Sequence, residues 1–203
     1  ESFFGQIDEI DDLWTGRAVG ALLIGGISAL LYLALLRLGW PSLWGALFAA
    51  MFAALPAAQV DVSWAICWPH LVGGVCSITA FLVVERGGWL CRGLGGLLVG
   101  AGALMYQPNS LFYLIPVAAG LLTYRSRPLP WRVRWVFFHL LTVGAALGAA
   151  FLTAQALYAL GLAKASHLVN IETEPLAKLY WFLTEPLPNA LALFALNDIE
   201  SIS

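Results

Sequence analysis

Long apolar stretches fill this chain, broken at intervals by short polar or proline-bearing segments. A helix that crosses a bilayer needs roughly 20 apolar residues, within a range of about 17–25. The first such stretch runs from Ala18 to Leu36, between Arg17 and Arg37. The second runs from Leu43 to Val60, after Trp40-Pro41-Ser42, where Pro41 suits a first helical turn and Ser42 a cap. The third runs from Val62 or Trp64 to Val84 and ends at Glu85-Arg86; Pro69 inside it predicts a kink. Gly93 to Tyr106 and Ser110 to Tyr124 are apolar too, but each is only about 15 residues long, short of a usual span. Between them, Pro108 withholds a backbone donor and biases Gln107 away from helix, while Asn109 or Ser110 suits the cap of the next helix. The sixth stretch is long, from Trp135 to Leu162.

This pattern predicts an all-α fold, a polytopic transmembrane helix bundle of about six spans over residues 1–162. Residues 163–203 change character: Glu172, Glu174, Lys178 and Glu185 make the segment polar. Within it, Leu179-Tyr180-Trp181-Phe182-Leu183 is too short to span and reads as an interfacial helix. Leu187 to Leu196 is again too short to span. The whole segment is therefore expected to be extracytoplasmic and interfacial.

Charge orients the spans, because Lys and Arg favour cytoplasmic loops. With the first loop outside, the inner segments hold Arg37, Arg86, Arg92, Arg125, Arg127, Arg132 and Arg134, seven of the ten basic residues. Arg17, Lys164 and Lys178 fall outside, as do all the acids except Glu85. Both ends of the chain are then non-cytoplasmic. The same rule decides the two short stretches. One continuous helix would put Arg92 and the Arg125–Arg134 cluster on opposite sides, so a hairpin with its apex at Tyr106-Gln107-Pro108-Asn109 is expected. Polar backbone below the membrane surface needs protein or water around it.

Composition agrees with a membrane protein. The 203 residues are 61% hydrophobic and 11% charged, with a mean hydropathy of +0.83, whereas soluble domains carry about 25% charged residues. Nine tryptophans suit membrane–water interfaces. A net charge of −2 provides no basic field for nucleic acid. Cys67, Cys76 and Cys91 follow no metal-ligand or disulfide spacing and read as small packed hydrophobes. Gly96 with Gly100 and Gly144 with Gly148 are four apart, a spacing that marks close helix approach. The chain starts at Glu1 with no signal-peptide pattern and stops abruptly, as expected of a piece of a longer protein.

Three constellations carry candidate chemistry. Asp8, Glu9, Asp11 and Asp12 crowd the outer mouth of the first stretch, just before Gly16-Arg17. Carboxylates this dense repel one another unless a cation lies among them or water solvates them. Hard oxygen ligands suit Mg²⁺ or Mn²⁺, here from Asp8, Asp11 and Asp12, and such a metal commonly holds substrate phosphate too. Arg17 stands where it can pair with that phosphate. The Tyr106-Gln107-Pro108-Asn109 apex reads either as a plain helix–helix turn or as the lining of a cavity. His70, His139 and His167 read either as inter-helix hydrogen-bonding groups or as ligands to a haem or chlorophyll magnesium. Asp61, with Gln59 near it, either extends the acidic cluster across the mouth or is a loop charge.

Asp11-Asp12, then Gly16-Arg17 opening a span, then Tyr106-Gln107-Pro108 in a hydrophobic hairpin resemble the bacterial O-antigen glucosyltransferase type II membrane family. Those proteins are similar to the wider GT-C class of polytopic glycosyltransferases. The resemblance implies a glycosyltransferase of the bacterial inner membrane. It would take a sugar from a polyprenyl-phosphate donor on the periplasmic face, with Asp11 or Asp12 as catalytic base or metal ligand. Arg17, Tyr106, Gln107 and Asn109 would then bind substrate. The family has a span before the acidic loop and more after the sixth, and this chain shows neither. Membrane lipids are partners on any reading. Two other readings stay open: a non-catalytic subunit of a larger membrane complex, binding pigment or haem through His70 or His139, and a transporter, to which proline-broken short spans point.

Overall fold

The computed structural model describes residues 10–63, 67–162 and 175–188. Among them every regular element is helical, so the fold is all-α. The chain divides into two units, Glu1–Ala159 and Leu160–Ser203.

The first unit holds eight α-helices among its described residues: α1 (Ile10–Arg37), α2 (Ser42–Ala54), α3 (Pro56–Ser63), α4 (Trp68–Val84), α5 (Trp89–Met105), α6 (Gln107–Ser110), α7 (Leu114–Thr123) and α8 (Leu129–Ala159). Two stretches, Leu13–Arg37 and Leu129–Ala159, are long and apolar enough to cross a membrane by length and composition; α2, α4 and α5 are shorter apolar helices. The described part of the second unit contains α9 (Pro175–Thr184). It covers the expected interfacial segment, and there Lys178 lies over the Trp181 ring while Trp181 Nε1–H donates to Glu185.

Local chemistry explains where these helices start and stop, and several boundaries differ from those the pattern predicts. Helix α1 already covers residues from Ile10 onward, ahead of the expected Ala18, so Asp11 and Asp12 lie in the helix rather than in a loop. The helix ends at a Schellman turn: Gly39 N–H donates to the Leu36 carbonyl, Trp40 N–H to that of Leu35, and Gly39 takes φ +89°. The second stretch is not one helix. Pro56 cannot continue the ladder and holds Leu55 extended (φ −59°, ψ 141°), which separates α2 from α3. Pro69 lies in the first turn of α4, where its missing donor has no helical partner to lose, so it starts a helix instead of kinking one.

Helix α4 is central and packs on α1, α5 and α6. Its Leu71, Ile78 and Phe81 are fully buried in one core with Ile27, Leu31 and Leu35 of α1, Val99 of α5, and Tyr113. At the α4–α5 crossing the two backbones touch. A Cβ placed on Gly73 would lie 3.0 Å from the Gly102 carbonyl oxygen, and one on Gly102 would lie 2.9 Å from that of Gly73. The glycine spacings singled out from the sequence behave differently. A Cβ placed on Gly100 would lie 3.7 Å from the Ala146 carbonyl oxygen, whereas Gly96, Gly144 and Gly148 face open space. Large apolar side chains lie on the outside of the unit: Leu22, Leu97, Leu122 and Leu152 are each two-thirds or more exposed.

The chain reverses at Tyr106, whose extended backbone (φ −159°, ψ 106°) ends α5. From there it runs first against α4 and then, in α7, against α1 and α8. Asn109 reaches His70, Phe112 lies on Gly74, and Gly120 lies against Leu38 and Trp135. The two short apolar stretches therefore form a hairpin, and Arg92 lies with the Arg125–Arg134 region at one end of the bundle. Arg92 and Arg134 both stand over the Phe138 ring.

Candidate functional site

At that arginine-rich end a polar chain runs into the bundle. Glu85 caps the C-terminus of α4, and its Oε1 accepts hydrogen bonds from Trp135 Nε1–H (2.9 Å) and from His139 Nε2–H (3.0 Å). His139 Nδ1 lies 2.7 Å from the Tyr113 hydroxyl. His139 therefore bridges the Glu85 carboxylate and the Tyr113 hydroxyl through its two ring nitrogens. Tyr113 is fully buried and His139 is 3% exposed. Burial pushes the Glu85 carboxyl up, and this is the largest single influence. The hydrogen bonds from His139 and Trp135, with electrostatic attraction from His139 and Arg37, outweigh it and hold the group below the usual glutamate range. Both ring nitrogens of His139 are engaged inside the bundle.

The opposite end gathers most of the residues singled out from the sequence. Arg17 donates its Nε–H to the Ser63 carbonyl at the end of α3 (3.1 Å). It is exposed, and its two terminal nitrogens have no hydrogen-bond partner among the described residues. Gly20, close by along α1, is buried against Val62 and the Asp61 carbonyl, so α1 and α3 meet closely here. Burial pushes the Asp61 carboxyl up, and attraction to His70 opposes that rise without cancelling it. His70 stacks on Tyr106 with ring centres 4.2 Å apart and planes 18° from parallel. Asn109 Nδ2–H donates to the His70 carbonyl (2.9 Å), and the Ser110 hydroxyl donates to that of Gln107 (2.6 Å).

The apex is thus fastened to the first turn of α4. Asn109 and Ser110 are buried, whereas Tyr106 and Gln107 are exposed. The sequence groups Tyr106, Gln107 and Asn109 as substrate-binding residues. The geometry separates them: Asn109 is a tether, and Tyr106 and Gln107 form the accessible rim. Arg17 meets the end of α3, and the rim rests on His70 of α4, which attracts Asp61 of α3. Arg17 makes no hydrogen bond to the apex itself among the described residues.

Asp8 and Glu9 lie outside the described residues, as does His167. Asp11 and Asp12 are placed by backbone alone, in α1, and precede Arg17 by six and five positions on the same helix. Among the described residues no group of three or more His, Cys, Asp or Glu side chains is placed to hold a metal ion.

Glu85, Trp135 and Tyr113 of the polar chain are missing from the sequence-derived candidates. Glu85 stands out there only as the acid on the arginine-rich side. That isolation is the available signal, because a lone carboxylate among arginines beside apolar spans needs a partner once it is buried. No family model, no curated protein and no solved structure matches this chain.

Proposed function

We propose that this chain is a multi-pass protein of a bacterial inner membrane, with about six crossings, that transfers a sugar from a polyprenyl-phosphate donor on the periplasmic face. The crossings would be α1, α2 with α3 as far as Val60, α4, α5, α6 with α7, and α8. The leucine-covered periphery supports immersion in lipid, since water would penalise so much apolar surface.

One observation carries the functional reading. Arg17, Asp61, His70, Tyr106 and Gln107 share the end of the bundle that bears Asp11 and Asp12, opposite the arginine cluster. In this reading Asp11 or Asp12 removes the acceptor hydroxyl proton. The terminal nitrogens of Arg17 meet the donor phosphate. Tyr106 and Gln107 line the sugar site, and Asn109 holds them in place. A divalent cation (Mg²⁺ or Mn²⁺) on Asp8, Asp11 and Asp12 belongs to the same proposal.

The test is transfer of labelled sugar from a polyprenyl-phosphate donor in membranes that carry the protein. Asp11→Asn with Asp12→Asn should lower the rate by about 10²–10⁴, the usual loss for a positioned base. Arg17→Ala should weaken donor binding. Unchanged transfer in the double variant would reject this site.

A further inference from the structure

A groove of about 790 Å³ runs along the outside of the bundle between α5 and α8. Trp89 and Arg92 lie at its arginine-rich end, and its length is lined by small residues that include Gly96, Gly100, Ala145 and Ala149. Small ligands occupy sites of about 300–1,000 Å³, so the volume suits a molecule rather than a few waters. The mouth at Trp89 and Arg92 is at the opposite end of α5 from Tyr106, and the groove plays no part in the proposed transfer.

Its chemistry is graded along its length. Trp89 is 82% exposed at one end, as suits a tryptophan at headgroup level. The Arg92 guanidinium lies 5.2 Å from the Trp89 ring and 4.7 Å from the Phe138 ring. Among the described residues no carboxylate pairs with Arg92 or with Arg134, which shares Phe138. Beyond Arg92 the lining is predominantly apolar as far as Leu104. Twelve residues of α5 cover about 18 Å at roughly 1.5 Å each, close to one leaflet of a hydrocarbon core about 30 Å thick. A cation at the surface, with an apolar channel one leaflet deep beneath it, complements an anionic amphiphile.

We infer that the α5–α8 groove binds an anionic phospholipid, with its phosphate on Arg92 and an acyl chain along Gly96 and Gly100. This inference rests on the membrane reading but not on the glycosyltransferase reading. The small residues leave room for the chain: a Cβ on Gly93 or Gly96 would meet nothing within 4 Å. A bulky residue at Gly96 can therefore fill the groove without breaking the helix contact, which is made further along at Gly100 and Ala146.

The test is native mass spectrometry of the full chain released from bilayers of equal phosphatidylglycerol and phosphatidylcholine. The unaltered chain should retain phosphatidylglycerol about fivefold over phosphatidylcholine, as one arginine at an anionic surface provides. Arg92→Gln should abolish that preference, and Gly96→Phe should remove adducts of both lipids. Equal retention of the two lipids by the unaltered chain, or unchanged adducts in Gly96→Phe, would overturn the inference. A lipid-free dimer that Gly96→Phe dissociates would overturn it in favour of a helix in the groove.

Discussion

Glu85 and His139, 54 positions apart, meet at 3.0 Å and tie the end of α4 to α8. The bond extends through the imidazole to Tyr113, so one line of hydrogen bonds joins α4, α8 and the residue just before α7. Each group has a partner inside the bundle, which is the condition for keeping polar groups there.

The first prediction follows from that line. His139→Phe leaves the Tyr113 hydroxyl and part of Glu85 unpaired, a loss of about 1–3 kcal/mol. Thermal unfolding in detergent should show a lower midpoint than for the unaltered chain. An unchanged midpoint would mean that water replaces the imidazole without cost.

Glu85 also sets a pH dependence. Its folded pKa is depressed, so its contribution is present above the unfolded value, near about 4.3, and is lost as pH falls through the folded value. Acid unfolding should therefore become less steep in Glu85→Gln. Equal slopes for the two proteins below that pH would contradict the assignment.

The α4–α5 crossing makes a second packing prediction. Gly102→Ala forces a methyl group to within 2.9 Å of the Gly73 carbonyl oxygen, backbone that cannot move aside cheaply. Overpacking of this kind costs about 1–3 kcal/mol. Gly144→Ala, which meets open space, should be neutral or slightly stabilising. Similar unfolding midpoints for the two variants would refute the close crossing.

The hairpin apex distinguishes two residues. Pro108 lies in the first turn of α6, where a missing donor costs little, so Pro108→Ala should change stability only slightly. The sequence suggests a larger role for it, as the breaker of a continuous helix. Asn109→Ala removes the bond to His70 and should cost about 1 kcal/mol. The two unfolding midpoints, measured side by side, decide between tether and breaker.

Much of this arrangement is legible in the sequence because it follows local rules or the side on which charge falls. The hairpin follows from Arg92 and the Arg125–Arg134 cluster, whose shared side a single helix could not satisfy. The break after Leu55 is equally encoded by Pro56 but is hidden by the apolar run around it. The glycine spacings mislead because four-residue intervals are common in glycine-rich helices, and only packing decides which are used. The Glu85–His139–Tyr113 line and the stacking of His70 on Tyr106 depend on contacts between distant segments, which no local pattern encodes. For the site, charge and the hairpin place Arg17 and the apex at one end, but the tethering role of Asn109 emerges only from its burial.

The central claim is that the two ends of the bundle face opposite sides of a membrane, and paired cysteine labelling tests it most directly. Ser63 and Ser126 are exposed at the two ends. In a background with Cys67, Cys76 and Cys91 replaced by alanine, Ser63→Cys should react with a membrane-impermeant maleimide in intact cells. Ser126→Cys should react only after the membrane is opened. Labelling of both positions in intact cells, or of neither, would contradict the account.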